Sequence, residues 1–370
     1  MNRFRLKDLL WEKRVLICCG SGGVGKTTTA AAISLYAALE GLKTIVLTID
    51  PAKRLATSLG IADIDYRERK IPEAEWEKIG LNPKAPLYAM MLDTKRTFDN
   101  LIQKHSSNPE TAQAILDNKL YQHLSNMMAG SQEYMAMEKL FEVAQEGDYD
   151  LIVLDTPPSR HALDFLEAPE KMRNMIGDSI LRIFLKPTIF ASRAGFKLLD
   201  KTMRRIMASF DQVAGFEFLQ DLSEMLVTTS GLLGGFKERA ERVEKLLHDP
   251  RTSFLLVASP QPIPLQEVAF FYRKIDEYGF PFGGFIFNRV QEIPEADLSI
   301  PNSLTGGAKK ELEAVVRLFQ KLSQRDHSEI NQFRKKVAGK ADSFFYQTVP
   351  QLDRDVHDLG SLHEMTHYLF

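Results

Sequence analysis

Residues Gly20-Ser21-Gly22-Gly23-Val24-Gly25-Lys26-Thr27 fill the pattern G-x-x-x-x-G-K-[ST] at every position, and this octapeptide constrains the fold more than any other segment. It follows an apolar run, Val15–Cys19, and precedes a helical pattern from Thr28 to Glu40. Glycines let successive backbone N–H groups turn inward around phosphate oxygens, and the helix N-terminus adds its partial positive charge. In such a loop Lys26 bridges the β- and γ-phosphates, and the Thr27 hydroxyl binds Mg²⁺. Gly20, Ser21, Gly22, Gly23, Val24, Gly25, Lys26, Thr27 and Thr28 are therefore the nucleotide-binding candidates. A glycine-rich turn without ligand is the competing reading, and the strand-then-helix context argues against it.

The rest of the chain extends the same alternation. Short apolar runs at Thr44–Thr48, Leu87–Leu92, Leu151–Leu154, Phe254–Ala258, Gly284–Phe287 and Phe345–Val349 read as further strands. Several are continuously apolar, as expected of parallel strands covered on both faces. Helical patterns lie between them, which predicts an α/β fold: a P-loop NTPase with a doubly wound, mostly parallel sheet. Two stretches break the rhythm, 93–148 and 166–250, and both are helical throughout. They exceed ordinary connection lengths, so they are expected to form a helical subdomain inserted into one P-loop domain spanning 1–370.

Composition narrows the partners. The 47 basic and 49 acidic residues leave a net charge of −2, so no bulk field points to nucleic acid. The longest apolar runs, such as Phe254–Val257, fall far short of the roughly 18 residues of a membrane span. The start, Met1–Lys7, is basic, but Asp8, Glu12 and Lys13 interrupt any apolar run that could follow it, so it does not read as a signal peptide. The two cysteines, Cys18 and Cys19, are adjacent on an apolar stretch and offer neither a disulfide framework nor a zinc-ligand spacing. A cytoplasmic location is expected.

Two carboxylates stand out. Asp155 ends the apolar strand Leu151–Leu154, the pattern in which a carboxylate holds Mg²⁺, although a strand-end Asp also suits a turn. Asp50, in Ile49-Asp50-Pro51-Ala52, suits a helix N-cap with proline at the first helical position, and equally a catalytic carboxylate.

Taken together, Gly20–Thr28, Asp50-Pro51-Ala52 and Asp155-Thr156-Pro157-Pro158-Ser159-Arg160-His161 resemble the arsenical pump-driving and tail-anchored-protein-targeting ATPases. These belong to the dimerising P-loop ATPases that include the septum-site, partition and nitrogenase iron proteins. The resemblance runs from about Arg14 to about Leu362. It implies ATP and Mg²⁺ as cofactors, with Lys26 and Asp50 catalytic and Asp50 orienting the attacking water. Thr27, Asp50 and Asp155 become the metal-site residues. Asn288, in Phe287-Asn288-Arg289, resembles the family's adenine-reading residue, and its alternative is a strand-end turn. Val349-Pro350 with Asp355–Gly360 resembles the loop that closes over the base. The chain departs from the family at Lys53, where a histidine is usual, and at Pro157, Ser159 and Arg160. It departs also at Ser21, where a second lysine normally reaches the partner subunit's nucleotide. Lys53, Arg54 and Arg160 are the candidates to replace that charge. Pump ATPases resemble two such halves fused, so a single half is expected to pair with itself or with a similar chain.

The segment 172–213 holds the clue to what the ATP is for. Phe196, Leu199, Met203, Ile206, Met207, Phe210 and Val213 follow helical spacing, and Met172, Met175, Ile176 and Ile180 precede them. They read as the core of a helical layer or as a client groove, for which flexible methionines are suited. Three functions follow. One is a nucleotide-switched dimer that handles a hydrophobic helix or membrane-protein client. Another is the soluble energising subunit of an anion or metalloid transporter. The third is a regulatory or scaffold ATPase of the partition type.

Overall fold

Strands whose every residue is apolar or small can lie only where helices cover both faces of a sheet. In the computed structural model, β1 (Val15–Gly20) and β2 (Thr44–Thr48) are buried at every position. So are β5 (Leu151–Asp155) and β6 (Thr252–Ala258). The structure describes residues 5–49, 54–61, 64–106, 108–118, 121–122, 131–157, 166–168, 170–171, 238–293, 306–337 and 344–370. With β3 (Arg69–Lys70), β4 (Leu87–Met91), β7 (Phe282–Val290) and β8 (Phe345–Pro350), these strands form one sheet of order β3-β4-β2-β5-β1-β6-β7-β8. All pairings are parallel except β3 with β4. The doubly wound, mostly parallel α/β sheet expected of the sequence is therefore present, with the added antiparallel edge of β3.

Register decides where the site lies. Val15 faces Ile152 on one side and Thr252 on the other, while Thr48 and Cys18 both face Asp155. Parallel pairing in this register brings the carboxyl ends of β1, β2, β5 and β6 to one edge, where ligands of open α/β sheets bind.

Two units can be distinguished. The first, Met1–Leu92, Val143–Leu163 and Leu247–Phe370, contains the whole sheet. Its helices are α1 (Leu6–Glu12), α2 (Lys26–Glu40), α3 (Arg54–Ser58) and α4 (Glu73–Glu77), followed later by α8 (Pro262–Tyr278), α9 (Gly306–Val337) and α10 (Leu359–Leu369). Small side chains let α2 approach the sheet closely, with Ala30, Ala31, Ala32 and Ile33 all fully buried. At the other end of α2, Tyr36 stacks on Phe370 with ring centroids 3.8 Å apart. Beneath β7 and β8 an aromatic cluster closes the core, with Phe285 edge-on to Phe333 at 5.0 Å. Burying each such ring contributes roughly 1.5–3 kcal/mol relative to leaving it exposed.

The second unit comprises Asp93–Glu142 and Asp164–Leu246. It holds α5 (Thr94–His105), α6 (Pro109–Asp117), most of α7 (Ser131–Glu146) and most of a helical stretch over 238–248. Asp93 caps α5 by accepting from the Arg96 N–H at 3.0 Å, and Asn108 caps α6 ahead of Pro109. Inside the unit Glu138 is 3% exposed and pairs with Arg239 at 3.0 Å, while the Tyr134 hydroxyl donates to the same carboxylate. Burial pushes the Glu138 carboxyl up, and the Arg239 charge pulls it back. Among the described residues no helix is long and apolar enough to cross a membrane.

Candidate nucleotide site

The loop between β1 and α2 is shaped by contacts at its two ends. A Cβ on Gly20 would collide with the Val257 carbonyl of β6, so only glycine lets the chain leave β1 at this point. Gly25 holds φ 91° and presses against the Asn288 side-chain amide, where a Cβ has no room. Between them Gly22 and Gly23 are exposed at the crown of the loop. Lys26 starts α2, is 7% exposed, and donates from Nζ to the Ser21 carbonyl at 2.8 Å. The loop thus holds its own cation at its centre.

A single carboxylate oxygen joins three elements. Asp155 Oδ2 accepts from the Thr27 hydroxyl at 2.7 Å and from the Thr48 hydroxyl at 2.8 Å. The Asp155 carbonyl also accepts from the Ile49 N–H at 3.3 Å. The start of α2, the end of β5 and the exit of β2 therefore meet at one buried side chain, itself 1% exposed. Thr156 extends the arrangement, donating from Oγ1 to the Cys18 carbonyl at 2.9 Å. As a donor set, a hydroxyl and a carboxylate side by side are hard oxygens of the kind Mg²⁺ selects, so these residues fit that ion.

A cleft of about 630 Å³ opens over the loop. Gly22, Gly23, Gly25, Lys26, Thr27 and Thr28 form one end of it, and Asn288 lies beside them. The other end is walled by Pro350, Leu352, Val356 and Met365, with Arg54 and Arg354 on its rim. Volume and polarity suit a ligand with an anionic end and a flat, less polar end. A smaller cavity of about 260 Å³ shares Gly22, Gly23, Arg289 and Gln351 with the first. Its floor carries Asp326, which is 1% exposed, pairs with Arg325 at 2.7 Å and accepts from the Gln291 N–H.

The structure brings most of the sequence candidates together around this cleft, and places others elsewhere. Gly20, Ser21 and Val24 support the loop from behind; Ser21 is 4% exposed, and its hydroxyl finds no hydrogen-bond partner among the described residues. Asn288 spends its amide on the loop, donating to the Val24 carbonyl at 2.9 Å. Val349 is fully buried in the core, and Pro350 alone of that pair lines the cleft. Asp50, Lys53, Arg160 and His161, together with the 172–213 segment, lie outside the described residues. Two features had no counterpart in the sequence reading: the Thr48 hydroxyl on Asp155, and the conformation of Arg289. The only signal for Thr48 is a hydroxyl closing a strand whose middle, Ile45–Leu47, is apolar.

Comparison with known proteins agrees with this construction. The profile of the family described as anion-transporting ATPase matches residues 13–342. Among curated relatives, ATPase ASNA1 homolog 1 of Paramecium tetraurelia is 24% identical over 305 residues, covering 81% of this chain and 82% of that protein. The putative arsenical pump-driving ATPase 2 of Aquifex aeolicus (strain VF5) is 24% identical over 305 residues, 76% of this chain and 81% of its own length. An ATPase ASNA1 homolog of Babesia bovis is 23% identical over 342 residues, 92% of this chain and 82% of that protein. The profile begins just before β1 and runs through the phosphate loop, the Asp155 junction and the β7 bulge, so this chain belongs to the anion-transporting ATPase family and is an ATPase.

Proposed function

We propose that this ATPase is a nucleotide-switched dimer that handles a hydrophobic helix of a membrane-protein client, pairing with itself or with a similar chain. The observation that carries the switch is the shared carboxylate: Thr27 and Thr48 both donate to Asp155 Oδ2. Thr27 belongs to the phosphate loop, and Thr48 lies two residues before Asp50, so whatever occupies the loop changes the anchor of that segment.

ATP in the cleft has its phosphates on the loop amides and Lys26, and its base near Asn288 and Pro350. Thr27 and Asp155, with Asp50, would hold Mg²⁺, which would supply neutralisation of the developing phosphate charge. Lys26 stabilises the γ-phosphoryl group, and Asp50 orients the attacking water. The water oxygen forms its bond to the γ-phosphorus as the bond to the bridging oxygen breaks, releasing ADP, phosphate and a proton.

The test measures mass in solution and hydrogen exchange across 172–213, with ADP and with a non-hydrolysable ATP analogue. Wild type should double in mass and change exchange in that segment with the analogue. Thr48→Val, which keeps shape but loses the hydroxyl, should still bind nucleotide and lose most of that response. Equal mass and equal exchange in both nucleotides for wild type would sink the switch. Uniform protection of 172–213 would leave it as core.

The transporter reading draws on the family's description and on relatives named as arsenical pump-driving. The thiols weigh against metalloid activation. Cys18 and Cys19 are fully buried in β1. Burial pushes the Cys18 thiol well above its usual range and Cys19 up to about 12, so both stay protonated near neutral pH. Arsenite or antimonite should therefore leave the ATPase rate unchanged. A metalloid-dependent acceleration that persists in Cys18→Ala and Cys19→Ala would favour the transporter reading.

A further inference from the structure

We propose that Arg289 is a second phosphate-binding cation of the ATP site, an inference that rests on the nucleotide reading above. The first observation is in the sheet. Phe287 faces Thr348 and Val290 faces Pro350, so Asn288 and Arg289 together oppose a single residue of β8. A bulge of this kind re-aims side chains and is enriched beside active sites.

Inside the bulge Arg289 holds φ 62°, and it is the one non-glycine with positive φ among the described residues. A residue with a Cβ keeps that conformation only where its surroundings over-determine it. Here the pairing to β8 brackets the bulge, and one side chain holds its interior. Asn288 Oδ1 accepts from the Arg289 N–H at 3.0 Å, while its Nδ2 donates to the Val24 carbonyl at 2.9 Å. The backbone of Arg289 is thereby tied to the phosphate loop through a single amide.

The third observation is position and availability. Arg289 lines both cavities together with Gly22 and Gly23, the exposed crown of the loop. Its side chain is exposed, and among the described residues its guanidinium makes no hydrogen bond or ion pair. The neighbouring Arg325 is already committed to Asp326 at 2.7 Å. Arg354 lines the large cleft but not the smaller cavity, and lies between Asp353 and Asp355 in the chain. Within the loop Lys26 is the only cation, and Ser21 is neutral and turned inward. A triphosphate leaves oxygens that one lysine cannot cover, and a planar guanidinium meets phosphate oxygens two at a time.

The experiment titrates ATP, ADP, AMP and GTP, each with Mg²⁺, against wild type, Arg289→Gly and Arg289→Lys. Glycine takes the left-handed backbone at no steric cost, so Arg289→Gly removes the charge without disturbing the bulge. It should melt at or above the wild-type temperature. It should bind ATP and GTP about 10-fold or more weakly, ADP less so, and AMP as wild type does. Arg289→Lys should recover part of the loss, and the deficit should shrink as salt is raised. ATP affinity within about twofold of wild type in Arg289→Gly overturns the proposal, as does an equal deficit for AMP, which makes Arg289 a base or ribose contact. Wild type that binds no nucleotide brings down the site reading itself, and this inference with it.

Discussion

Lys26→Ala is expected to lower ATP turnover by about 10³-fold, the largest effect of any substitution considered. Preorganised charge aimed at a developing anion typically contributes 10²–10³ per group, roughly 2.7–4 kcal/mol. Lys26 is the only cation within the loop, and its Nζ already lies inside the cradle, 2.8 Å from the Ser21 carbonyl. Removing the amine also takes a donor from that carbonyl, which costs about 1–3 kcal/mol of stability if no water replaces it. Turnover is therefore to be measured alongside thermal melting. A folded Lys26→Ala protein that hydrolyses ATP at the wild-type rate, free of contaminating ATPase, removes this loop from the reaction.

Asp50→Asn is expected to separate binding from hydrolysis. As a helix cap alone the substitution is nearly harmless, because Asn caps about as well as Asp. As the group that orients or deprotonates water, Asp50 needs its negative charge, and hydrolysis should fall by roughly 10²-fold or more with nucleotide affinity retained. The Asp155 contacts sharpen this expectation. Thr48 and Ile49 are both anchored on Asp155, so the chain enters position 50 from a fixed point at the phosphate end of the sheet. Single-turnover hydrolysis and equilibrium binding, measured on both proteins, decide it. Near-normal hydrolysis leaves Asp50 as a cap and requires another residue to place the water.

The parts of the fold legible in the sequence are those that obey simple periodicities. β1, β5 and β6 carry continuous apolar runs and are buried at every position, so there composition and burial say the same thing. β3 escapes because Arg69 and Lys70 are exposed and only two residues long, held at the edge by pairing to β4. β7 begins earlier than its apolar run suggests. Phe282 and Gly283 extend the strand ahead of the Gly284–Phe287 run, and a Cβ on Gly284 would stand 2.5 Å from the Phe345 carbonyl, so this glycine serves close strand packing. The loop residues of the candidate site are adjacent in sequence and were readable as a motif. Thr48 and Arg289 were not, since their significance comes from partners 107 and 1 residues away along the chain that only the folded sheet and its bulge define.

The position of β1 between β5 and β6 has a consequence for how this protein is made. Val15 pairs with Ile152 and Thr252, so neither neighbour of the strand that carries the phosphate loop exists when that strand leaves the ribosome. From residue 15 to residue 252 at ~5–20 residues per second, the wait is roughly 10–50 s. Throughout it the apolar β1 and the alanine-rich face of α2 lack their permanent cover, and pairings this distant in sequence form slowly. Gly20 rests on Val257 and Gly25 on Asn288, so the loop acquires its shape only after the chain has emerged through residue 288. Nucleotide capture during synthesis is thus a late event that reports a nearly complete sheet. Truncated or stalled chains ending before β6 should expose the loop sequence and bind no ATP.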